Sequence, residues 1–161
     1  MTDDLRLEAL RGSRLAADLD DDECRLLASL VTVRDLSDRD VLAREGLADN
    51  HLHVVAHGHL DVIREVEAGN HVTLASLGAG DLAGELNFVD GTKRQSSLVA
   101  RGQTRVLGLA RERLESLLKS NPAIVYHVMR AIIRTVHETQ RRLSLQAVEL
   151  VNYIYKQHGR Y

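Results

Sequence analysis

Apolar positions change period twice along the chain. In residues 3–30 they recur at helical spacing: Leu5, Ala9 and Leu10, then Leu26, Leu27 and Leu30. Asp20, Asp21 and Asp22 stand just ahead of Cys24-Arg25-Leu26, where acids complement a helix dipole. From residue 31 the pattern shortens. Val31 to Leu36, Val41 to Arg44, Leu52 to Ala56, Leu60 to Ile63, Val72 to Leu77, Ser97 to Arg101 and Arg105 to Leu109 are β-branched runs punctuated by glycines. Seven or eight short strands are expected, with Gly58, Gly69-Asn70 and Gly102 as turns. Leu52, Val54 and Ala56 alternate with His53, Val55 and His57, which predicts one face toward a core and one toward solvent.

From residue 111 the period is helical again. ERLESLLK reads as a short helix, and Asn121-Pro122 as an N-cap followed by proline at the first helical position. No glycine or proline follows until Gly159, so a helix of some 30 residues, about 45 Å, is expected. Val125, Met129, Ile132, Val136, Thr139, Leu143, Gln146, Leu150 and Tyr153 step by four and three, a heptad seam suited to a homodimer over residues 122–153. A second stripe, Ile124, Val128 and Ala131, faces the chain's own sheet. The alternative is one amphipathic helix lying on its own sheet.

Composition narrows the functional classes. Lys plus Arg number 21 and Asp plus Glu 23, a net charge of −2, without the basic excess of a general nucleic-acid binder. Aromatics are 3% with no Trp, which argues against base-stacking platforms for single strands. No apolar run reaches membrane-spanning length, and the acidic, periodic start is unlike a signal peptide. The single cysteine, Cys24, excludes an intrachain disulfide and fits a reducing, cytoplasmic setting. One domain over 1–161 is expected: N-terminal helices in 1–30, sheet in 31–110, and helices in 111–156.

The chemistry concentrates in residues 80–98, around GELNFVDGTKRQSSLV. Glu85 and Arg94 stand nine residues apart, held near each other by a loop on an apolar β scaffold. The segment resembles the phosphate-binding cassette of cyclic-nucleotide-binding domains, found in bacterial cAMP receptor proteins and the regulatory subunit of protein kinase A. The resemblance extends to Glu45-Gly46, Gly58 to Val62, LGAGD at 77–81 and the long final helix. It implies a mainly β, α+β fold: a double-stranded β-helix, or jelly-roll-like β-roll, with N-terminal helices and a C-terminal dimerisation helix.

The resemblance also implies roles. Arg94 pairs with the cyclic phosphate monoanion through a charge-assisted bond. Gly84 permits close backbone approach, and main-chain N–H groups of the turn at Glu85, Leu86 and Asn87 add donors. Glu85 accepts the ribose 2′-OH, and its unpaired carboxylate would penalise 2′-deoxy analogues. Ser96 and Ser97 offer hydroxyls. Gln95 and Lys93 depart from the family's usual Ala, Ser or Thr and its Pro. Thr139, counted from Pro122, matches the threonine that reaches the base across the dimer, and Gln140 replaces the next serine. After residue 148 only ELVNYIYKQHGRY remains, too short for a helix-turn-helix, so direct DNA binding by these residues is not expected.

The expected function is a cyclic-nucleotide sensor, cAMP ahead of cGMP, signalling through its last helix or the 149–161 tail to a partner protein. No catalytic set, cofactor or metal is expected. G-x-S-x-G, Walker A and H-E-x-x-H patterns are missing. Two rivals stand beside this reading. One is a ligand-independent homodimeric module with a decayed pocket. The other is a cupin-like metalloenzyme using His51, His53, His57 and His59, although solvated histidines on an outer strand face are the simpler expectation for that run.

Overall fold

The computed structural model describes residues 2–67 and 69–159. Two N-terminal helices, α1 (Thr2–Arg11) and α2 (Asp21–Leu30), flank a 3-10 turn at Arg14–Ala16. The Asp20 carboxylate accepts from the N–H of Glu23 at 2.8 Å, and the Glu23 side chain accepts from the N–H of Asp20. This reciprocal box satisfies two orphan donors of the helix start. Six strands follow: β1 (Thr32–Leu36), β2 (Val41–Ala43), β3 (His51–Glu65), β4 (His71–Leu77), β5 (Leu82–Ala83) and β6 (Ser97–Ala110). Between β5 and β6 lies the short helix α3 (Glu85–Asp90), and α4 (Arg111–Glu115) leads to α5 (Pro122–His158).

All strand pairings are antiparallel, in the order β1-β6-β3-β4, with β2 also on β6 and β5 also on β3. The result is a jelly-roll-like β-roll with helices before and after it, the expected fold. Strand number differs from the expectation. Leu52 to Ala56 and Leu60 to Ile63 belong to one 15-residue strand, and the two runs around Gly102 to one of 14. Gly58 (φ +82°) and Gly102 (φ +71°) are not hairpin turns. They are positive-φ irregularities within long strands, and the β3–β6 register shifts on either side of His57. A Cβ at Gly58 would collide with the Gln103 carbonyl and lie 2.9 Å from Thr104 Cα. The two long strands can cross this closely only with glycine there.

Around Leu52 to Val55 the sheet buries both of its faces. Leu52 and Val54 pack with Leu10, Leu27, Phe88, Leu107 and Leu109 against the helical layer. Val55 packs inside the roll with Leu36, Leu60, Ala83, Leu98 and Val106. The alternation along 52–55 therefore separates two cores, not core from solvent. This corrects the expectation for the histidines: His53 is 7% exposed and faces inward, while His57 and His59 are exposed.

Helix α5 is 37 residues long, about 55 Å. Its first half lies on the chain's own core. Ile124, Val128 and Ala131 are buried as expected, but so is Ile132 from the heptad series, and Val125, Met129 and Val136 pack partly against the same core. The seam and the core-facing stripe thus merge there. Beyond Gln140 every described residue of the helix is exposed.

Replacing Gly58 with alanine should cost about 2 kcal/mol through the strained φ and the clash at the crossing. Urea unfolding of Gly58→Ala checks this, with a lower midpoint at unchanged slope as the expected outcome.

Candidate functional site

The 80–98 segment turns on two left-handed glycines. Gly84 (φ +77°) precedes α3 and Gly91 (φ +71°) closes it. Phe88, the sole phenylalanine, is fully buried among the helices and fixes this six-residue helix to the core. Asn87 closes the loop: its Nδ2 donates to the carbonyls of Thr92 (3.2 Å) and Lys93 (3.0 Å) and to Thr92 Oγ1. The Asn87 side chain thus holds the loop's shape.

Arg94 follows and turns inward, with a side chain only 3% exposed. Its guanidinium lies against Gly84, where any Cβ would overlap it. One terminal nitrogen donates to Asp49 Oδ2 at 2.7 Å and to the His51 carbonyl at 3.1 Å. Its Nε is buried and has no partner among the described residues. Asp49 collects further donors: Oδ1 accepts from the N–H of His51 (3.0 Å) and faces its Nδ1 (3.1 Å), and Oδ2 faces His53 Nε2 at 3.2 Å.

These contacts set the charges. Burial alone would raise Asp49, but bonds from His53 and Arg94 outweigh it and hold the carboxyl well below the usual range. Burial pushes His53 down against the pull of Asp49, so the imidazole is neutral at pH 7. Burial pushes the Glu85 carboxyl up, opposed by its own backbone N–H and by the charge of Arg94. The structure therefore brings Gly84, Glu85 and Arg94 together, with a buried cation beside a carboxylate that burial makes costly to ionise.

The remaining expected residues fall around this centre. Leu86 and Gln95 are exposed, and Ser96 is half-buried. Ser97 Oγ accepts from the Glu45 N–H at 2.9 Å, which leaves its proton free to donate. Thr139 is half-buried on α5 and donates to the Thr135 carbonyl at 3.0 Å, a bond within its own helix. Two features had no signal in the sequence. Asp49 is an unremarked acid in a loop before β3. Arg14 bridges Asp81, in the turn before β5, and Glu138 on α5, so the approach to the site is tied to the final helix.

A model of the cyclic nucleotide-binding domain matches residues 33–121, more than half of the chain. The chain belongs to this family. Cyclic nucleotide-binding domains are regulatory rather than catalytic modules. This one is 29% identical over 140 residues to the cyclic AMP receptor protein of Thermus thermophilus, covering 87% of the chain and 65% of that protein. The chain thus spans less than two thirds of that relative's length. Among solved structures, a cyclic nucleotide-binding domain from Methylobacillus flagellatus superposes with a TM-score of 0.76 at 26% identity, covering 87% of this chain and 79% of that one. The catabolite activator protein of Thermus thermophilus superposes with a TM-score of 0.71 at 29% identity, over 84% and 63% of the two chains.

Among the described residues of this domain, no group of three His, Cys, Asp or Glu side chains is arranged to hold a metal. His51 and His53 spend a ring nitrogen each on Asp49. Nor is any described helix long and apolar enough to cross a membrane.

Stability should fall with acid in two steps. Folding depresses the His53 pKa, so its contribution is present above about pH 6.5 and is lost as pH falls from there through the lowered folded value. Asp49 is also depressed, so its contribution is lost below about pH 4. Asp49→Asn should cost about 3 kcal/mol at neutral pH by stranding Arg94, and should erase the lower step. Urea unfolding from pH 3 to 8 measures both.

Proposed function

We propose that this domain binds a cyclic purine mononucleotide, cAMP ahead of cGMP, and passes its occupancy to a partner protein through α5. The observation that carries the reading is the Gly84–Glu85–Arg94 arrangement. A buried guanidinium with an unpartnered Nε lays its terminal nitrogens against the left-handed glycine, next to a largely buried carboxylate. Arg94 supplies the charge for the phosphate, with the main-chain N–H groups at Glu85, Leu86 and Asn87. Glu85 accepts the ribose 2′-OH. Ser96 and Ser97 offer hydroxyls, and Gln95 lies at the rim. Thr139 reaches the base of a ligand on the partner protomer. The printed name of the Thermus relative, a cyclic AMP receptor protein, favours the same ligand.

The output route follows from the packing. Helix α3 lies beside α5, and Arg14 links the turn before the site to Glu138. Ligand that reorders the 80–98 segment then favours one placement of α5, a population shift. The domain works as a regulator in a reducing, cytoplasmic setting and catalyses nothing itself. The exposed side chains of Leu143, Leu150 and Tyr153 support a homodimer through the outer half of α5.

Thermal unfolding with cAMP, with cGMP and without ligand tests the site. At 100 times Kd the bound nucleotide should raise the midpoint by about 5–10 °C. Glu85→Gln should unfold at a higher temperature than the native chain without ligand, because a buried charge is removed, yet lose most of the shift. No shift with either nucleotide, in protein free of co-purified nucleotide, would favour the ligand-independent dimer module. Sedimentation tests the seam: Leu143→Glu with Leu150→Glu should convert dimer to monomer while the folded core persists, since both residues lie outside it.

A further inference from the structure

A cavity of about 580 Å³ opens where β1, β2 and the 47–50 loop meet the start of β3. Gly84, Glu85 and Arg94 do not line it. Its walls are apolar on one side, with Val41, Leu42 and Val106, and its polar side chains include Arg34, Arg44, Asn50, His51 and His53. Both arginines are exposed, and neither has an ion-pair partner among the described residues. Asp49 is the one acid in the lining, and Arg94 and the two histidines already occupy its oxygens. The cavity therefore presents two uncompensated positive charges to a ligand.

His53 fixes the inner end. Its ring is more than nine-tenths buried and its Nε2 serves Asp49, so Nε2 carries the proton and Nδ1 is a bare acceptor. That Nδ1 is buried without a partner. Buried acceptors are normally satisfied, so a lone one in a cavity wall marks where a donor belongs. Gly108, also in the wall, keeps the position open: its missing Cβ would sit 3.8 Å from Nδ1 and 3.2 Å from Thr32 Oγ1.

We propose that this cavity is a second small-molecule site, built for a hydroxylated aromatic carboxylate. The carboxylate meets Arg34 and Arg44, the ring lies on Val41, Leu42 and Val106, and the hydroxyl donates to His53 Nδ1. Guanidinium pairs suit a planar carboxylate, and a site that spends a buried acceptor on a hydroxyl discriminates against analogues lacking it. This site does not depend on the cyclic-nucleotide reading, because the two share no binding group.

The test is calorimetric titration of the full chain with para-hydroxyphenylacetate, followed by ¹⁵N resonances of the histidine rings. Saturable binding is expected, with the His53 Nδ1 resonance shifted. Phenylacetate, which lacks the hydroxyl, should bind about tenfold more weakly or worse. The double variant Arg34→Gln, Arg44→Gln alters only exposed side chains and should weaken the probe by a similar factor. Saturating cAMP should leave the probe bound. No saturable binding, binding indifferent to the two arginines, or complete displacement by cAMP would each overturn the proposal. The unfolding shift with cAMP alone scores the nucleotide site separately.

Discussion

A guanidinium buried inside a β-roll is the constraint around which this domain is arranged. Taking the charge of Arg94 out of water costs several kcal/mol unless partners replace the lost hydration. The chain supplies them from distant segments. Asp49 and the His51 carbonyl come from the approach to β3, and the space comes from Gly84, which lacks the side chain that would fill it. Each device is costly alone. A left-handed glycine loses more conformational entropy than other residues, and a loop acid that takes four donors surrenders its freedom. Together they hold a cation at a defined depth with Nε and one terminal nitrogen still unspent among the described residues.

The cost is spread over two cores. Strand β3 carries Leu52 and Val54 toward the helices, and His53 and Val55 toward the roll interior. One strand thereby couples the helical layer to the chamber that holds Asp49 and Arg94. Phe88 does the same for α3 from the other side. A displacement of the 80–98 segment is therefore felt in the packing beneath α5. Close-packed interiors transmit such shifts because they have few voids to absorb them. The Arg14 bridge to Asp81 and Glu138 adds an exposed electrostatic link along the same route, weaker because solvent screens it.

Glu85 is the costly group of this arrangement. Burial raises its pKa, so its ionised form weakens the unliganded fold. A carboxylate kept at such a cost is the expected mark of a binding group, since function tolerates local strain that folding alone would remove. The interior half of α5 shows the opposite. Ile124, Val128, Ala131 and Ile132 simply fill the core, and the heptad register continues beyond them only where the helix leaves its own sheet.

Local sequence rules already carried the helices, the acids at the start of α2, Pro122 at the start of α5, the strand-rich middle and the Gly84–Glu85–Arg94 segment, because each depends on neighbours within a few residues or on a family pattern. Three things needed the folded chain. Gly58 and Gly102 have the same φ preference as hairpin glycines, and only the crossing of β3 and β6 makes them bends in continuous strands. Alternation at 52–57 states that two faces differ, but it does not say that both are buried, since that depends on what packs on each side. The partner of Arg94 was the least legible of all. Asp49 lies 45 residues away, and a buried charge takes whichever acid the tertiary fold brings within hydrogen-bond reach.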